Sequence, residues 1–189
     1  MTSKLDRRKK YTRMVLKDSL IELLKEKQIS AITVKEICEL ADINRSTFYA
    51  HYADQYDLLD KIEDEIIEDM TGYLNQYHLV KEEDAFHIIE KLIDYFASKH
   101  EVCRTLFSEE NDTTFQKKVM RFAQEVFQQH WPGSTLTGND SKYLSTFVIS
   151  GSIHVIKSWL NNGMDKSTTD MAEVISQLIN KGLYGMKEG

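Results

Sequence analysis

The stretch Thr33–Tyr52, TVKEICELADINRSTFYAHY, decides how this chain is read. Thr33 followed three residues later by Glu36 is a capping box. The hydroxyl meets the third amide of a helix, and the carboxylate reaches back to the cap. Val34, Ile37, Cys38 and Ala41 then recur at i, i+3, i+4 and i+7, one apolar face of a helix beginning at Thr33. Asp42 and Ile43 supply a turn, and Asn44 can cap a third helix. In that helix Ile43, Phe48 and Tyr52 share the inner side. Arg45, Ser46, Thr47, Tyr49 and Ala50 are left on the outer side. Helix, tight turn and polar-faced helix is the layout of a helix-turn-helix reader, whose second helix is narrow enough to enter the DNA major groove. Arg45 can bond a guanine edge in bidentate fashion. Ser46 and Thr47 suit bases or phosphates, and Tyr49 and His51 suit phosphates. A helical hairpin with an ordinary solvated face has the same pattern, so the pattern alone leaves both readings open.

The rest of the chain fits an all-helical protein. Its 189 residues are 41% hydrophobic and 29% charged, with one proline and 8 glycines. So few helix breakers, among many Leu, Ile, Glu, Lys and Met, favour helices throughout. No run of about 18 apolar residues could span a bilayer, and no apolar signal stretch follows the basic start, so a cytoplasmic setting is expected. Cys38 and Cys103 form no CxxC and read as small buried apolar groups. The net charge of −6 is unevenly spread. Residues 1–17 carry Lys4, Arg7, Arg8, Lys9, Lys10, Arg13 and Lys17 against Asp6 alone, whereas the chain beyond residue 60 sums to −7. A cationic end on an anionic body suits an end that approaches a polyanion, or equally a solvated basic tail.

Helical periodicity predicts further elements. The first runs over about 7–27, with Leu16, Leu20, Leu23 and Leu24 in one stripe. A fourth starts behind Asp54 and runs to Tyr77. Others cover about 83–100, 100–107, 113–131, 141–161 and 168–184. The loop WPGSTLTGND, 131–140, is the clearest break, and Asn162-Gly163 is a stop signal.

Residues 10–60 resemble the DNA-binding domain of the tetracycline-repressor-like (TetR/AcrR) family, on the string ITVKEICELADINRSTFYAHYADQYDLL. That family has Thr at the second helix start, an Ile-Ala pair, a Gly-Val turn, then Thr-apolar-Tyr-x-aromatic-Phe, a Lys and two leucines. Here those places hold Thr33, Ile37-Cys38, Asp42-Ile43, Thr47 to Tyr52, Gln55 and Leu58-Leu59. Three departures stand out. Cys38 replaces Ala, Asp42 sits where Gly is usual, and Gln55 replaces a backbone-contacting Lys. Affinity should therefore lean on the Lys4–Lys17 tail. The resemblance implies a helix-turn-helix domain over 1–60 and a helical regulatory and dimerisation domain over 61–189. Its implied DNA-contacting set is Thr33, Lys35, Asn44, Arg45, Ser46, Thr47, Tyr49, Ala50, His51, Tyr52 and Gln55, with Lys9 and Lys10 from the tail.

The resemblance also implies a homodimer through the last two long helices, and SGSIHVIKSWLNNGM is similar to the end region of a Gram-positive-type branch. Independently, Gly151 lies mid-helix with Ser150 and Ser152, three small residues set between apolar ones. That placement costs about 1 kcal/mol against Ala and is explained by close approach of another backbone. Val148, Gly151, Val155 and Trp159, with Val174, Ile175 and Leu178, are the candidate interface, although both helices could equally pack within one subunit. A small-molecule effector pocket is implied too. Tyr73, His87, Phe96, His100, Phe107, Phe122 and Phe147 are its candidate lining, with Tyr77 and His154 beside them, and each could instead be plain core. The histidines 51, 78, 87, 100, 130 and 154 show no HxxxH or HExxH spacing, so no metal site and no cofactor are expected. No nucleophile elbow or glycine-rich phosphate loop suggests an enzyme. The expected protein is a homodimeric repressor on a near-palindromic double-stranded DNA operator. The alternatives are an activator of the same family or a helical protein-binding adaptor.

Overall fold

The computed structural model describes residues 4–77, 85–108, 114–130 and 139–185. Side chains are further restricted, leaving out 4–5, 85, 130, 139–141 and 181–185. Most of the expected 131–140 break, His78 and the side chains of Lys4, His130 and Leu183 therefore lie outside the description. Among the described residues the chain forms α-helices and no strand: α1 (Lys4–Leu24), α2 (Val34–Ala41), α3 (Arg45–Tyr49), α4 (Gln55–Asn75), α5 (Ala85–Ser98), α6 (His100–Leu106), α7 (Thr114–His130), α8 (Asn139–Asn161) and α9 (Thr168–Gly185). A single 3-10 turn at Ile29–Ala31, not expected from periodicity, joins α1 to α2.

The chain resolves into two compact units. One comprises residues up to Ile66 with Thr105–Phe115; the other comprises Ile67–Arg104 and Gln116 onward. In the first, α1 packs on α2 and α2 on α3. Leu16, Leu20 and Leu24 bury the expected stripe of α1, joined by Ile21, while Leu23 stays half-buried. Ile32, Ile37 and Cys38 meet them, and Phe48 and Tyr52 enter from the third helix and its exit. Burying a ring as completely as that of Phe48 contributes roughly 1.5–3 kcal/mol, so α3 is held by its inner side. Phe107 and Phe115 pack with tilted rings, 4.9 Å between centroids, and belong to this unit too.

In the second unit α9 packs on both α5 and α8. Ile88, Ile93, Phe96, Phe122, Ile153 and Ile175 are buried there. The Thr169 hydroxyl donates to Glu90 Oε1 at 3.1 Å, tying α9 to α5. The expected stop after α8 is a left-handed pair, Gly163 at φ 76° and Met164 at φ 58°. The Met164 N–H donates back to the Trp159 carbonyl at 2.9 Å. Trp159 then donates its indole N–H to the Lys166 carbonyl at 3.1 Å, which closes the loop before α9.

Candidate nucleic-acid interface

The turn between α2 and α3 is built by local hydrogen bonds. Thr33 caps α2. Its hydroxyl accepts from the Glu36 N–H at 3.3 Å, and the Glu36 carboxylate takes the Thr33 N–H at 2.9 Å and its hydroxyl at 2.8 Å. Lys27 donates to the same carboxylate at 2.5 Å. This Lys27 bond, followed by those from Thr33, holds the Glu36 carboxyl down at about 2. Asp42 ends α2 in the left-handed region, φ 53° and ψ 43°, the conformation its replacement of the family Gly requires. The Ile43 N–H returns to the Cys38 carbonyl at 3.0 Å. Asn44 caps α3, accepting the Ser46 N–H at 3.1 Å.

With its inner side fixed by Phe48, α3 presents Arg45, Ser46 and Tyr49 to solvent, with Ala50 just beyond. Thr47 and His51 are half-buried flanks. Tyr49 is 58% exposed, its ring edge-on to Phe48 at 5.6 Å. Thr33 and Asn44 are exposed, but their side chains are engaged in caps. Lys35 is exposed and faces Glu39 one turn on, at 3.7 Å. Lys9 and Lys10 lie exposed on α1, and Gln55 opens α4, half-buried.

Tyr52 is the exception in the expected contact set. It is 5% exposed and its hydroxyl has no hydrogen-bond partner among the described residues. Burial first, then the nearby Glu65 carboxylate, pushes that hydroxyl up to about 12. Standing where the family has Phe, it acts as a core ring against Phe48 at 5.7 Å, so Tyr52 is removed from the DNA-contacting set. Arg13, which the contact set omitted, is exposed on α1, and its charge acts on both His51 and Tyr52. Its spacing of four from Lys9 was the available signal.

The other expected groups divide as well. Val148, Trp159 and Ile175 are buried in the chain's own core, at 8%, 2% and 2% exposure, so they cannot offer a surface to a partner. Gly151, Val174 and Leu178 are exposed and Val155 half-buried. Of the expected pocket lining, Phe96 and Phe122 do border a cavity of about 90 Å³ in the second unit. Ile93, Phe127, Ile153 and Ile175 also line it, and Ser152 is the lone residue there with a polar side chain. The rest do not line it. Phe107 packs in the first unit, Phe147 is 77% exposed, and Tyr73 sits edge-on to Tyr77 and tilted against Tyr95. His87 lies 3.5 Å from Glu90 on the surface, and His100 is exposed with Nδ1 at 3.1 Å from the Ala97 carbonyl. Among the described residues no cluster of His, Cys, Asp or Glu is placed to hold a metal ion, and no helix is long and apolar enough to cross a membrane. Both thiols are buried, which pushes Cys38 up and Cys103 to about 12.

A three-helix reader joined to a larger helical unit is the architecture of a helix-turn-helix regulator. The fold is similar to a TetR transcriptional regulator of Streptococcus agalactiae 2603V, at 23% identity and TM-score 0.69, covering 92% of this chain and 96% of that one. It is similar to NalD of Pseudomonas aeruginosa, at 16% identity and TM-score 0.65, covering 92% and 97%. It is also similar to FadR of Bacillus subtilis in complex with stearoyl-CoA, at 17% identity and TM-score 0.61, covering 88% and 96%. Residues 83–181, just over half of the chain, match the TetR-type family described as the transcriptional regulator C-terminal region. The chain belongs to the TetR family of transcriptional regulators. A curated relative, the uncharacterised HTH-type regulator YxbF of Bacillus subtilis (strain 168), is 30% identical over 122 residues, 60% of this chain. The chain spans 29% of the length of that relative.

Proposed function

We propose that this protein is a homodimeric repressor that binds a near-palindromic operator through α3 and is released by a small apolar effector. The observation that carries the reading is the outer side of α3. Arg45, Ser46 and Tyr49 are exposed there on a helix pinned by Phe48, and Arg45 has no ion pair among the described residues. A free guanidinium on a rigid helix can bond a guanine edge with little side-chain ordering cost beyond its own.

The dimer face of this reading is redrawn from the expected one. Tyr143, Phe147, Gly151, His154 and Ser158 form an exposed stripe on α8, and Val174 and Leu178 form another on α9. Phe147 and Leu178, at 77% and 63% exposed, are large apolar groups that a second copy of the chain would cover. Two readers related by that two-fold axis would meet half-sites about 34–36 Å apart. For the effector, the cavity walls offer no charged group, so its contacting part would be hydrocarbon. At about 90 Å³ the cavity is smaller than the roughly 300–1,000 Å³ usual for ligand sites, and its walls must part to admit more than a small group.

The test is a mobility-shift assay on the DNA upstream of the protein's own coding region, at two salt concentrations. Specific binding that falls steeply with salt is expected. Arg45→Ala should lower discrimination between operator and random duplex by about 1–3 kcal/mol. A dimer that binds no duplex at low salt would overturn the reading. A protein partner bound equally well at high salt would mark an adaptor.

A further inference from the structure

Asp42 closes α2 at φ 53° and ψ 43°, a left-handed position that Gly or Asn usually takes. Its carboxylate also sits at the negative end of the helix, where an anion is unfavourable. A residue that breaks two local preferences at once is expected where it serves binding. Asp42 is exposed, three residues before the exposed Arg45. Both border one polar notch of about 460 Å³ between the end of α2 and the start of α3, with Cys38 and Ile43 also against it. Lys35, Glu39 and Asn44 complete its rim. Those three are already engaged. Lys35 faces Glu39 at 3.7 Å, and the Asn44 side-chain oxygen accepts from the Ser46 N–H at 3.1 Å and hydroxyl at 3.2 Å. Asp42 and Arg45 form no ion pair, with each other or with another described residue. The notch therefore carries one uncommitted acceptor and one uncommitted donor, near each other but not joined. Base edges in the major groove present the complement, acceptors on guanine and an N4 amino donor on cytosine. Base pairs stack about 3.4 Å apart, so two groups too far apart to pair with each other suit neighbouring base pairs.

We propose that the Asp42 carboxylate reads a cytosine, accepting a hydrogen bond from its N4 amino group in the base pair next to the one that Arg45 contacts. The inference rests on the DNA-binding reading above and adds to it a specificity-determining residue outside the expected contact set. Cytosine offers the donor without a competing acceptor on the same edge, whereas adenine sets N7 beside its amino group. The carboxylate then acts in two directions. Opposite cytosine it is satisfied. Opposite a base edge of acceptors it loses water and gains no partner. Near any duplex it is repelled by phosphates. Asp42 therefore lowers affinity for duplexes at large and raises discrimination among them.

The experiment uses the full chain. Wild-type, Asp42→Gly, Asp42→Asn and Arg45→Ala proteins each select from a pool of randomised duplexes. Affinities are then measured by fluorescence anisotropy on the duplex that wild-type selects, on its single-base variants and on an unrelated duplex of the same length. Wild-type should prefer cytosine at one position of each half-site by about five- to hundredfold. Asp42→Gly should lose the preference at that position, keep the neighbouring one, and bind the unrelated duplex about two- to fivefold more tightly. Asp42→Asn should exchange cytosine for adenine, whose N6 and N7 an amide bonds together. Arg45→Ala should lose the neighbouring preference and keep the cytosine. A substitution that merely moved α3 would change affinity for the selected and the unrelated duplex in the same sense. That result in Asp42→Gly overturns the inference, as does a selected sequence that is indifferent to residue 42. Both leave the DNA-binding reading standing. A wild-type protein that enriches no duplex and binds none at low salt overturns both.

Discussion

The left-handed residue at the turn sets the aim of the reading helix, and its energetics can be measured one variant at a time. Asp42 holds φ 53° with its N–H directed at the Cys38 and Glu39 carbonyls. An ordinary L-residue pays about 1–2 kcal/mol in that region, and Asp pays less because its short side chain bonds locally. Its carboxylate also sits at the C-terminus of α2, where a negative charge costs about 0.3–1 kcal/mol. Asp42→Asn removes the charge and keeps the conformational tolerance, so it should stabilise by about 0.3–1 kcal/mol. Asp42→Gly removes the steric cost as well but loosens the unfolded chain by about 0.4–1 kcal/mol, which leaves it near Asn. Asp42→Val sheds the charge but takes the full steric cost on a branched side chain, so it should lose about 1 kcal/mol. In a unit this size a loss of about 1 kcal/mol lowers Tm by roughly 4–8 °C. Trp131 and Trp159 both lie outside the first unit in sequence, so tryptophan fluorescence would report on the other unit. Amide hydrogen exchange at Ile43, Phe48 and Ala50 is the appropriate assay. The order of protection should be Gly and Asn above Asp, and Asp above Val. Equal protection in the Asp and Val proteins would mean that the turn is not left-handed, and that the orientation derived for α3 is wrong.

Three further outcomes are expected. Glu36, held at about 2 against its ordinary 4.5, lends stability that is present above the ordinary value and lost as pH falls toward 2. Glu36→Gln should flatten the acid limb of a circular-dichroism titration between pH 5 and 2, and an unchanged limb would remove the capping box from the account. Gly151 has open space around its absent Cβ within its own chain. Gly151→Trp and Phe147→Glu should therefore leave the single chain folded and each yield monomers in sedimentation velocity. A dimer that persists in both would place the interface elsewhere. Ala123 borders the apolar cavity, so Ala123→Leu should raise the urea midpoint read at Trp159, because filling a void recovers contacts otherwise lost; a lowered midpoint would mean overpacked walls.

The elements legible in the sequence were those fixed by contacts within a few residues. The capping box at Thr33 and Glu36, the Asn44 cap and the Asn162-Gly163 stop are each a local bargain between side chain and backbone, and each stands where the residues place it. What periodicity could not tell was which partner an apolar face meets. Val148, Trp159 and Ile175 read as a face for a second copy, yet they fill their own core. Phe147 reads as a pocket wall, yet it is the most exposed large apolar group among the described residues. A stripe on a helix states only that something covers it, and that something is set by the path of the whole chain. Tyr52 shows the same limit at one residue. Its spacing put it inside with Phe48, and its hydroxyl argued for outside. The ring's burial outweighed an unsatisfied hydroxyl, a cost of about 1–3 kcal/mol.

The candidate site is best defined by which polar groups the fold has already used. Thr33, Glu36 and Lys27 are consumed in holding the start of α2, Asn44 in capping α3, and Glu65 and Lys17 in joining α4 to α1. Each of these would lose protein partners if it turned to an external ligand, so its contribution to binding would be reduced by the cost of leaving them. Arg45, Tyr49, Lys9 and Arg13 carry no such obligation within the first unit. Their exposure is nonetheless organised, because Phe48, Leu16 and Leu20 hold the backbones beneath them. Groups that are free at their tips and fixed at their roots bind with little loss of backbone entropy. That combination separates this surface from the acidic remainder of the chain. There, Lys61 lies 3.7 Å from Asp60 and 3.8 Å from Asp64, and Lys91 lies 3.0 Å from Asp94. Beyond residue 60 the chain sums to −7, so a polyanion would be repelled there and drawn to the cations on α1 and α3. The uneven spread of charge, and not the net −6, is what would orient the chain on a polyanion.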